Sequence, residues 1–419
     1  MTRMPEPRMA VRALRQVDLR EYRQSGPHVL SIAERDALRA ALPSLTLETV
    51  TGIEGAYILT PGATVGAVEI GDLSVLIEPK IDIRTLLSLA SYAIGRVRFQ
   101  KTDFEFPEEA ALPDALALAF ASAARRAFSR GLLHGYRTEE EALQTVRGRI
   151  RFDDQVRRRF GVPLPVEVRY DEFTDDILAN RLVKAAAVRL GGMHLRSPEA
   201  RRGLGWVAAM LDNVSYAEFQ PSRVPEVIFD RLNEHYRGVV TLARLVLRRG
   251  AFEADRGQVR ASGFLMDMNQ VFQEFVTVAL REALGVSARL FGESAICSLD
   301  KTGRVHLKPD LVWRDGSSCV FVGDVKYKRI RDERIPNADL YQLLAYTTAH
   351  NLPGGLLVYA QDEDERESAT YTVRHSGKRI EVAALDISGT LDQVLERVRC
   401  LADKVRALRG QAEQVRRAA

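Results

Sequence analysis

His306-Leu-Lys-Pro-Asp-Leu-Val-Trp313, then Arg314-Asp-Gly-Ser-Ser318, then Cys319-Val-Phe-Val-Gly-Asp-Val-Lys-Tyr-Lys328 reads as a β-hairpin. Val, Leu, Phe and Trp fill both halves, and the Asp-Gly-Ser between them is turn chemistry. Three ionisable residues interrupt the apolar pattern: Asp310 in the first half, Asp324 and Lys326 in the second. Alternation along a strand puts Asp324 and Lys326 on one face, and pairing across the turn can bring Asp310 beside them.

Two carboxylates meeting at a sheet end raise each other's pKa, and burial adds to the cost. A divalent cation removes the conflict. Mg²⁺ prefers oxygen ligands and takes one or two protein carboxylates while keeping several waters. Beside a phosphodiester it polarises the phosphoryl oxygen and activates water. The triad of Asp310, Asp324 and Lys326 therefore suits metal-dependent phosphodiester hydrolysis, with the lysine orienting the nucleophile or stabilising developing charge. The plainer reading is a hairpin with a solvated polar face, because Asp-X-Lys alone is a common tripeptide.

The flanking segments favour the chemical reading. Tyr341-Gln-Leu-Leu-Ala-Tyr346 lies on a predicted helix with Gln342 and Tyr346 one turn apart on one face. Met268-Asn-Gln-Val-Phe-Gln-Glu-Phe-Val276 opens an amphipathic helix carrying Glu274. The order is helix with Glu, Pro-Asp strand, Asp-X-Lys strand, helix with Gln-X-X-X-Tyr, then the apolar strand Gly355–Tyr359. It resembles the PD-(D/E)XK nuclease core in its RecB-like form. The resemblance implies a mixed sheet flanked by helices, with Mg²⁺, or Mn²⁺ in its place, held by Asp310 and Asp324. It leaves Glu274, Gln342 and Tyr346 as supporting residues. Related helices often read Phe-Glu-X-Phe, whereas this one reads Phe272-Gln-Glu-Phe275. Glu274 is thus displaced by about 100° around the helix, and Gln273 takes the expected position.

Composition bounds the remaining possibilities. The chain has 419 residues, with 46% hydrophobic and 28% charged, an ordinary globular balance with room for two or three domains. Its net charge of +4 permits nucleic acid as a partner without demanding it. Cys297, Cys319 and Cys400 are scattered, with no Cys-X-X-Cys. That favours a reducing cytoplasm and argues against a zinc site. Met1–Pro7 has no apolar leader, and no apolar run approaches the roughly 18 residues of a membrane span.

Earlier in the chain, a helix start at Leu30–Asp36 precedes short β-type segments at Ala56–Leu59, Val65–Ile70 and Leu73–Pro79, the last two joined at Gly71-Asp72. A helix follows at Thr85–Tyr92. From about 108 to 260 the pattern is mainly helical. It contains the densest basic stretch, Arg147-Gly-Arg-Ile-Arg-Phe152 and Gln155-Val-Arg-Arg-Arg-Phe160. Arg147, Arg149, Arg157 and Arg158, with Lys328 downstream, are candidate DNA contacts; a solvated helix face is the alternative. Asp171, Glu172, Asp175 and Asp176 cluster at a helix start, where acidic charge is favourable without any metal.

Ile77-Glu-Pro-Lys-Ile81, Arg147-Gly-Arg-Ile150, Tyr170-Asp-Glu-Phe-Thr-Asp-Asp176 with Asn180-Arg181, and then the nuclease core resemble McrC proteins in order and spacing. McrC is the nuclease subunit of McrBC modification-dependent restriction systems. The resemblance spans about residues 28 to 385. It implies a partner, a McrB-like AAA+ GTPase hexamer that recognises modified DNA and that this subunit docks on and stimulates, and double-stranded DNA as substrate. The chain has no Gly-X-X-X-X-Gly-Lys-Ser/Thr loop of its own.

The expected architecture is α+β and multidomain: an α+β domain over 1–95, a mainly helical partner-facing region over 96–260, and an α/β PD-(D/E)XK endonuclease domain over 261–419. The expected activity is an Mg²⁺-dependent endodeoxyribonuclease. The alternatives are a regulatory activator of the AAA+ partner with little nuclease activity, or a repair nuclease without a GTPase partner.

Overall fold

The computed structural model describes residues 15–99, 103, 106, 107, 109–256, 259–293, 297–328, 335–361 and 368–418, with 250–262 and 418 described through their backbone. The Met1–Pro7 reading lies outside the described residues. The chain divides into two compact units: one combines residues 1–98 with 252–419, and the other is 99–251.

Within residues 1–95, Pro27–Val29, Ala56–Thr60 and Thr46–Thr49 form a three-stranded sheet of their own, but the three-part expectation is redrawn because the larger sheet of these residues is completed from later in the chain. Their strands Arg15–Arg20, Leu73–Glu78 and Thr64–Ile70 form a five-stranded sheet with Val259–Asp267 and Gly250–Arg256. Thr64–Ile70 pairs antiparallel with Val259–Asp267, from Thr64 opposite Asp267 to Ile70 opposite Ala261. Val68, Ile70, Val75 and Ile77 alternate onto a buried face closed by the helix Ile32–Ala41. That helix begins with a capping box between Ser31 and Glu34, which satisfies orphan backbone donors at its first turn. The next helix, Ile83–Gly95, packs on Met268–Leu284, with the Tyr92 and Phe275 rings edge-on at 5.7 Å.

The other sheet of this unit has six strands in the order Phe291–Gly292, Leu311–Asp315, Ser318–Lys326, Gly354–Gln361, Arg379–Asp386 and Ser368–Thr372. It is mixed: the hairpin is antiparallel, while Ser318–Lys326, Gly354–Gln361 and Arg379–Asp386 run parallel. The parallel step from Ser318–Lys326 to Gly354–Gln361 contains the helix Asn337–Ala349, as a crossover requires. The helix Leu391–Ala418 packs on the sheet and on Met268–Leu284.

The second unit is mainly helical, as expected for 96–260, with a small sheet added. The helices Leu112–Phe128, Leu178–Gly191, Pro198–Met210 and Arg237–Arg249 pack together, but Gly135–Leu143, Arg149–Ile150 and Val166–Thr174 form a three-stranded sheet beside them in the chain. Arg137 and the run Glu139-Glu-Glu141 hid the strand Gly135–Leu143 from a hydrophobic-pattern reading. Among the described residues no helix is long and apolar enough to cross a membrane.

Gly355 sets how closely the Asn337–Ala349 helix approaches the sheet. A Cβ there would lie 2.9 Å from Leu343 Cδ1, 3.0 Å from Thr347 Cγ2 and 3.0 Å from the Val322 carbonyl oxygen. Gly355→Val is expected to cost about 1–3 kcal/mol through overpacking. A urea melt with a lowered midpoint and unchanged slope checks this; an unchanged midpoint would show that the helix can retreat freely.

Candidate active site

The hairpin turns on two residues, Gly316 and Ser317, between paired Asp315 and Ser318, with Gly316 at φ 58° in the left-handed region. Arg314 then pairs with Cys319, but Trp313 pairs with Phe321. Val320 is thus an extra residue, a β-bulge in the second strand. The register beyond it runs to Leu311 opposite Gly323, and one more step sets Asp310 opposite Asp324. Asp310 Oδ2 accepts a hydrogen bond from the Val325 backbone N–H at 2.9 Å, which locks that alignment.

Asp324 is 1% exposed. Lys326 Nζ lies 2.6 Å from its Oδ2, close enough for an ion pair, yet neither carboxylate oxygen has a hydrogen-bonding partner of good geometry. Burial, followed by the neighbouring Asp324 charge, pushes the Asp310 carboxyl up to about 7. A buried carboxylate with unsatisfied oxygens, facing a second carboxyl that resists ionisation, is a donor set that fits a divalent cation. Among the described residues no group of three or more His, Cys, Asp and Glu side chains converges, so these two carboxylates are the acidic donors available.

Gln342 and Tyr346 come to the same place. Gln342 Nε2 donates to Tyr346 Oη at 2.6 Å, and Tyr346 Oη donates to the Lys308 carbonyl at 3.2 Å. The helix is thereby tied to the segment that carries Asp310. Burial, then the Asp324 charge, pushes the Tyr346 hydroxyl up to about 12, so it stays protonated and serves as a donor.

The upstream helix contributes less directly. Gln270 donates to Glu274 at 3.1 Å, one turn along the same helix. Gln273 donates to Glu293 at 3.2 Å, and Glu293 pairs with Lys308 at 3.0 Å. Gln273 is thus linked toward the Pro-Asp segment.

Asp339 was not singled out from sequence. It is buried and accepts a hydrogen bond from Tyr359 Oη at 2.5 Å, and Lys328 Nζ pairs with it at 2.7 Å. Asp339, Gln342 and Tyr346 follow the i, i+3, i+7 spacing of one helix face, a signal available in the sequence. Lys328, expected as a DNA contact, is therefore held by an acidic partner at the end of the Asp-X-Lys strand.

The four other candidate DNA contacts lie in the second unit, and three of them meet carboxylates. Arg147 stacks over the Tyr170 ring at 3.9 Å and faces Glu172 at 3.5 Å. Arg157 pairs with Asp154 at 2.9 Å, and Arg158 stands 3.8 Å from Asp154 and 3.7 Å from Glu167. Arg149 is exposed. The acidic cluster there serves structure: Asp176 binds Arg137, Arg181 at 2.7 Å and Ser215 Oγ at 2.7 Å. The Arg181 hydrogen bond holds its carboxyl well below the usual range.

Comparison with known proteins places this chain in a family. The McrBC 5-methylcytosine restriction system component family matches residues 59–360. The Type IV methyl-directed restriction enzyme EcoKMcrBC of Escherichia coli K12 is 21% identical over 304 residues, covering 67% of this chain and 86% of its own length. A structure of Thermococcus gammatolerans McrB AAA+ hexamers with bound McrC contains a chain that superposes with a TM-score of 0.57 at 16% identity, covering 93% of this chain and all of that one. At that identity the likeness speaks to fold. The family match spans most of the chain and both halves of the site, so this chain belongs to the McrBC 5-methylcytosine restriction system component family.

Proposed function

We propose that this chain is the nuclease subunit of a McrBC-type restriction system, a Mg²⁺-dependent endodeoxyribonuclease with a PD-(D/E)XK core. The observation that carries the reading is the buried Asp324 carboxylate, without hydrogen-bond partners, set against Asp310 and Lys326. Asp310 and Asp324 would hold Mg²⁺, with Mn²⁺ as a substitute. When bound, the ion supplies polarisation of the phosphodiester and acidification of water. Lys326 sets its ammonium group beside Asp324, where it orients the attacking water and offsets charge that develops on the phosphate. Tyr346 and Gln342 hold the Pro-Asp segment so that Asp310 does not swing away. Asp339 fixes Lys328 and Tyr359 and acts as a positioning residue.

A McrB-like AAA+ GTPase hexamer is the proposed partner, which this subunit docks on and stimulates and which recognises modified DNA. Support comes from the structural relative, solved as McrC on McrB hexamers. The second unit also carries an apolar stripe suited to docking. Phe152, Val156 and Phe160, spaced i, i+4, i+8, are 70%, 67% and 89% exposed.

Cleavage of modified plasmid DNA by this protein with Mg²⁺, GTP and its partner GTPase is expected to fall at least about 100-fold in Asp324→Ala, as loss of one ligand of a charge-stabilising centre implies. Retained cleavage in both Asp324→Ala and Lys326→Ala would sink the nuclease assignment, and GTPase stimulation with no cleavage in any lane would favour a regulatory subunit. A stability measurement tests the carboxylate pair separately. A carboxyl raised in the folded state binds its proton more tightly there than in the unfolded chain, so its penalty grows above the unfolded pKa and is complete above about 7. Asp310→Asn should therefore raise the metal-free melting temperature at pH 8 by a few degrees and lose the further rise that Mg²⁺ gives the wild type. Phe160→Asp is expected to weaken partner binding at least about tenfold while leaving the melting temperature near wild type, because the side chain is exposed; undiminished binding in a pull-down titration would remove that stripe from the interface.

A further inference from the structure

The Ile77-Glu-Pro-Lys-Ile81 motif has no role in the chemistry described so far, yet its lysine reaches the residue that follows Lys326. The strand Ser318–Lys326 makes its last pairing with Lys326 opposite Tyr359, so Tyr327 and Lys328 lie beyond the ladder. A segment without ladder hydrogen bonds keeps one position only where other contacts hold it. Asp339 holds Lys328. The residues that hold Tyr327 come from the far end of the sequence.

These residues sit at the ends of two parallel strands, Arg15–Arg20 and Leu73–Glu78. Tyr22 Oη donates to the Tyr327 carbonyl at 3.1 Å, and Tyr327 Oη donates to Glu21 Oε2 at 3.4 Å. The Lys80 backbone N–H donates to the same Glu21 oxygen at 3.1 Å, and the Lys80 ammonium lies over the Tyr327 ring at 4.1 Å. The Tyr327 ring also meets Phe272 of the Met268–Leu284 helix, with centroids 5.8 Å apart. Glu21 and Tyr327 are both buried.

The anchors are themselves fixed. The Glu21 N–H donates to the Glu78 carbonyl at 3.0 Å, and the Tyr22 N–H to the Pro61 carbonyl at 3.1 Å. Tyr22 sits at φ 58°, a conformation that a bulky side chain adopts only where its surroundings hold it. Burial, then the Glu21 charge, pushes the Tyr22 hydroxyl up to about 12, so it stays protonated and donates.

Successive side chains leave a strand on opposite faces, so the Tyr327 ring and the Lys326 side chain turn together. Holding the ring therefore holds the ammonium, which lies 2.6 Å from Asp324 Oδ2. We propose that Glu21, Tyr22 and Lys80 form a latch on Tyr327 that aims Lys326 at the Asp324 carboxylate, which makes them positioning residues for hydrolysis. The proposal rests on the nuclease reading for the reaction that Lys326 serves. It gives the N-terminal strands a share in the candidate active centre without any contact with substrate.

The test takes two readouts from the full-length protein. In the first, modified plasmid DNA is cut with Mg²⁺, GTP and the partner GTPase. Tyr22→Phe is expected to lower kcat about 10- to 100-fold through misplacement of Lys326, with KM for DNA and the melting temperature close to wild type. Glu21→Gln, whose amide oxygen still accepts both hydrogen bonds, should keep most of the activity that Glu21→Ala loses. The second readout needs neither metal nor cleavage. It is the Lys326 Cε resonance of protein labelled with ¹³C-lysine, assigned by its loss in Lys326→Arg. This resonance is expected to move in Tyr22→Phe while that of Lys184, in the other unit, stays in place. An unmoved Lys326 resonance would overturn the proposal whether or not kcat falls. A raised KM with unchanged kcat would overturn it too, in favour of a DNA contact by Tyr22. A wild type that never cuts with its partner, beside a Lys326 resonance that moves in Tyr22→Phe, would remove the nuclease reading and leave the latch standing.

Discussion

One extra residue aligns the candidate active centre. The hairpin has a two-residue turn, and its first pairs would place Asp310 opposite Gly323 if the register ran on unbroken. Asp310 would then point to the face opposite Asp324, because a one-residue slip inverts every side chain. Val320, bulged out of the second strand, shifts the pairing by one and sets the two aspartates against each other. The Val325 hydrogen bond to Asp310 and the Tyr346 link to Lys308 both act on that alignment. Much of the surrounding sheet can be understood as support for a conjunction of charges that no hydrophobic packing would select.

The same bulge marks where sequence reasoning stops. Alternation alone gives the shared face of Asp324 and Lys326, and spacing gives the contact of Gln342 with Tyr346. Whether Asp310 joins them depends on register, and register depends on a bulge with no glycine or proline to announce it. Asp339 escaped notice for a different reason. A carboxylate at a helix start looks like an ordinary first-turn acid, and only the fold brings Tyr359 and Lys328 to it. The basic stretch has partners that one dimension does not show: Arg157 and Arg158, which look like phosphate contacts in sequence, meet Asp154 and Glu167 in three.

The division into units was also hard to read locally. Short β-type segments with a clear Gly71-Asp72 turn suggest a self-contained module. Nothing in Thr64–Ile70 itself announces that its other neighbour is Val259–Asp267. Likewise Gly135–Leu143 carries so few apolar residues that its strand character comes from its pairing with Val166–Thr174. Local propensity gave way to long-range pairing in both places.

The return of the chain to its first sheet has a consequence for synthesis. Residues 99–251 emerge from the ribosome as an uninterrupted stretch and hold within themselves the contacts of a compact unit. The surrounding unit is split, so Thr64–Ile70 waits as an open sheet edge until the segment after residue 258 has been made. The helix carrying Gln273 and the hairpin carrying both aspartates follow that segment in the chain. The candidate catalytic groups are thus among the last to be assembled, and a truncated product would expose a sticky strand edge without the hairpin that brings the two aspartates together.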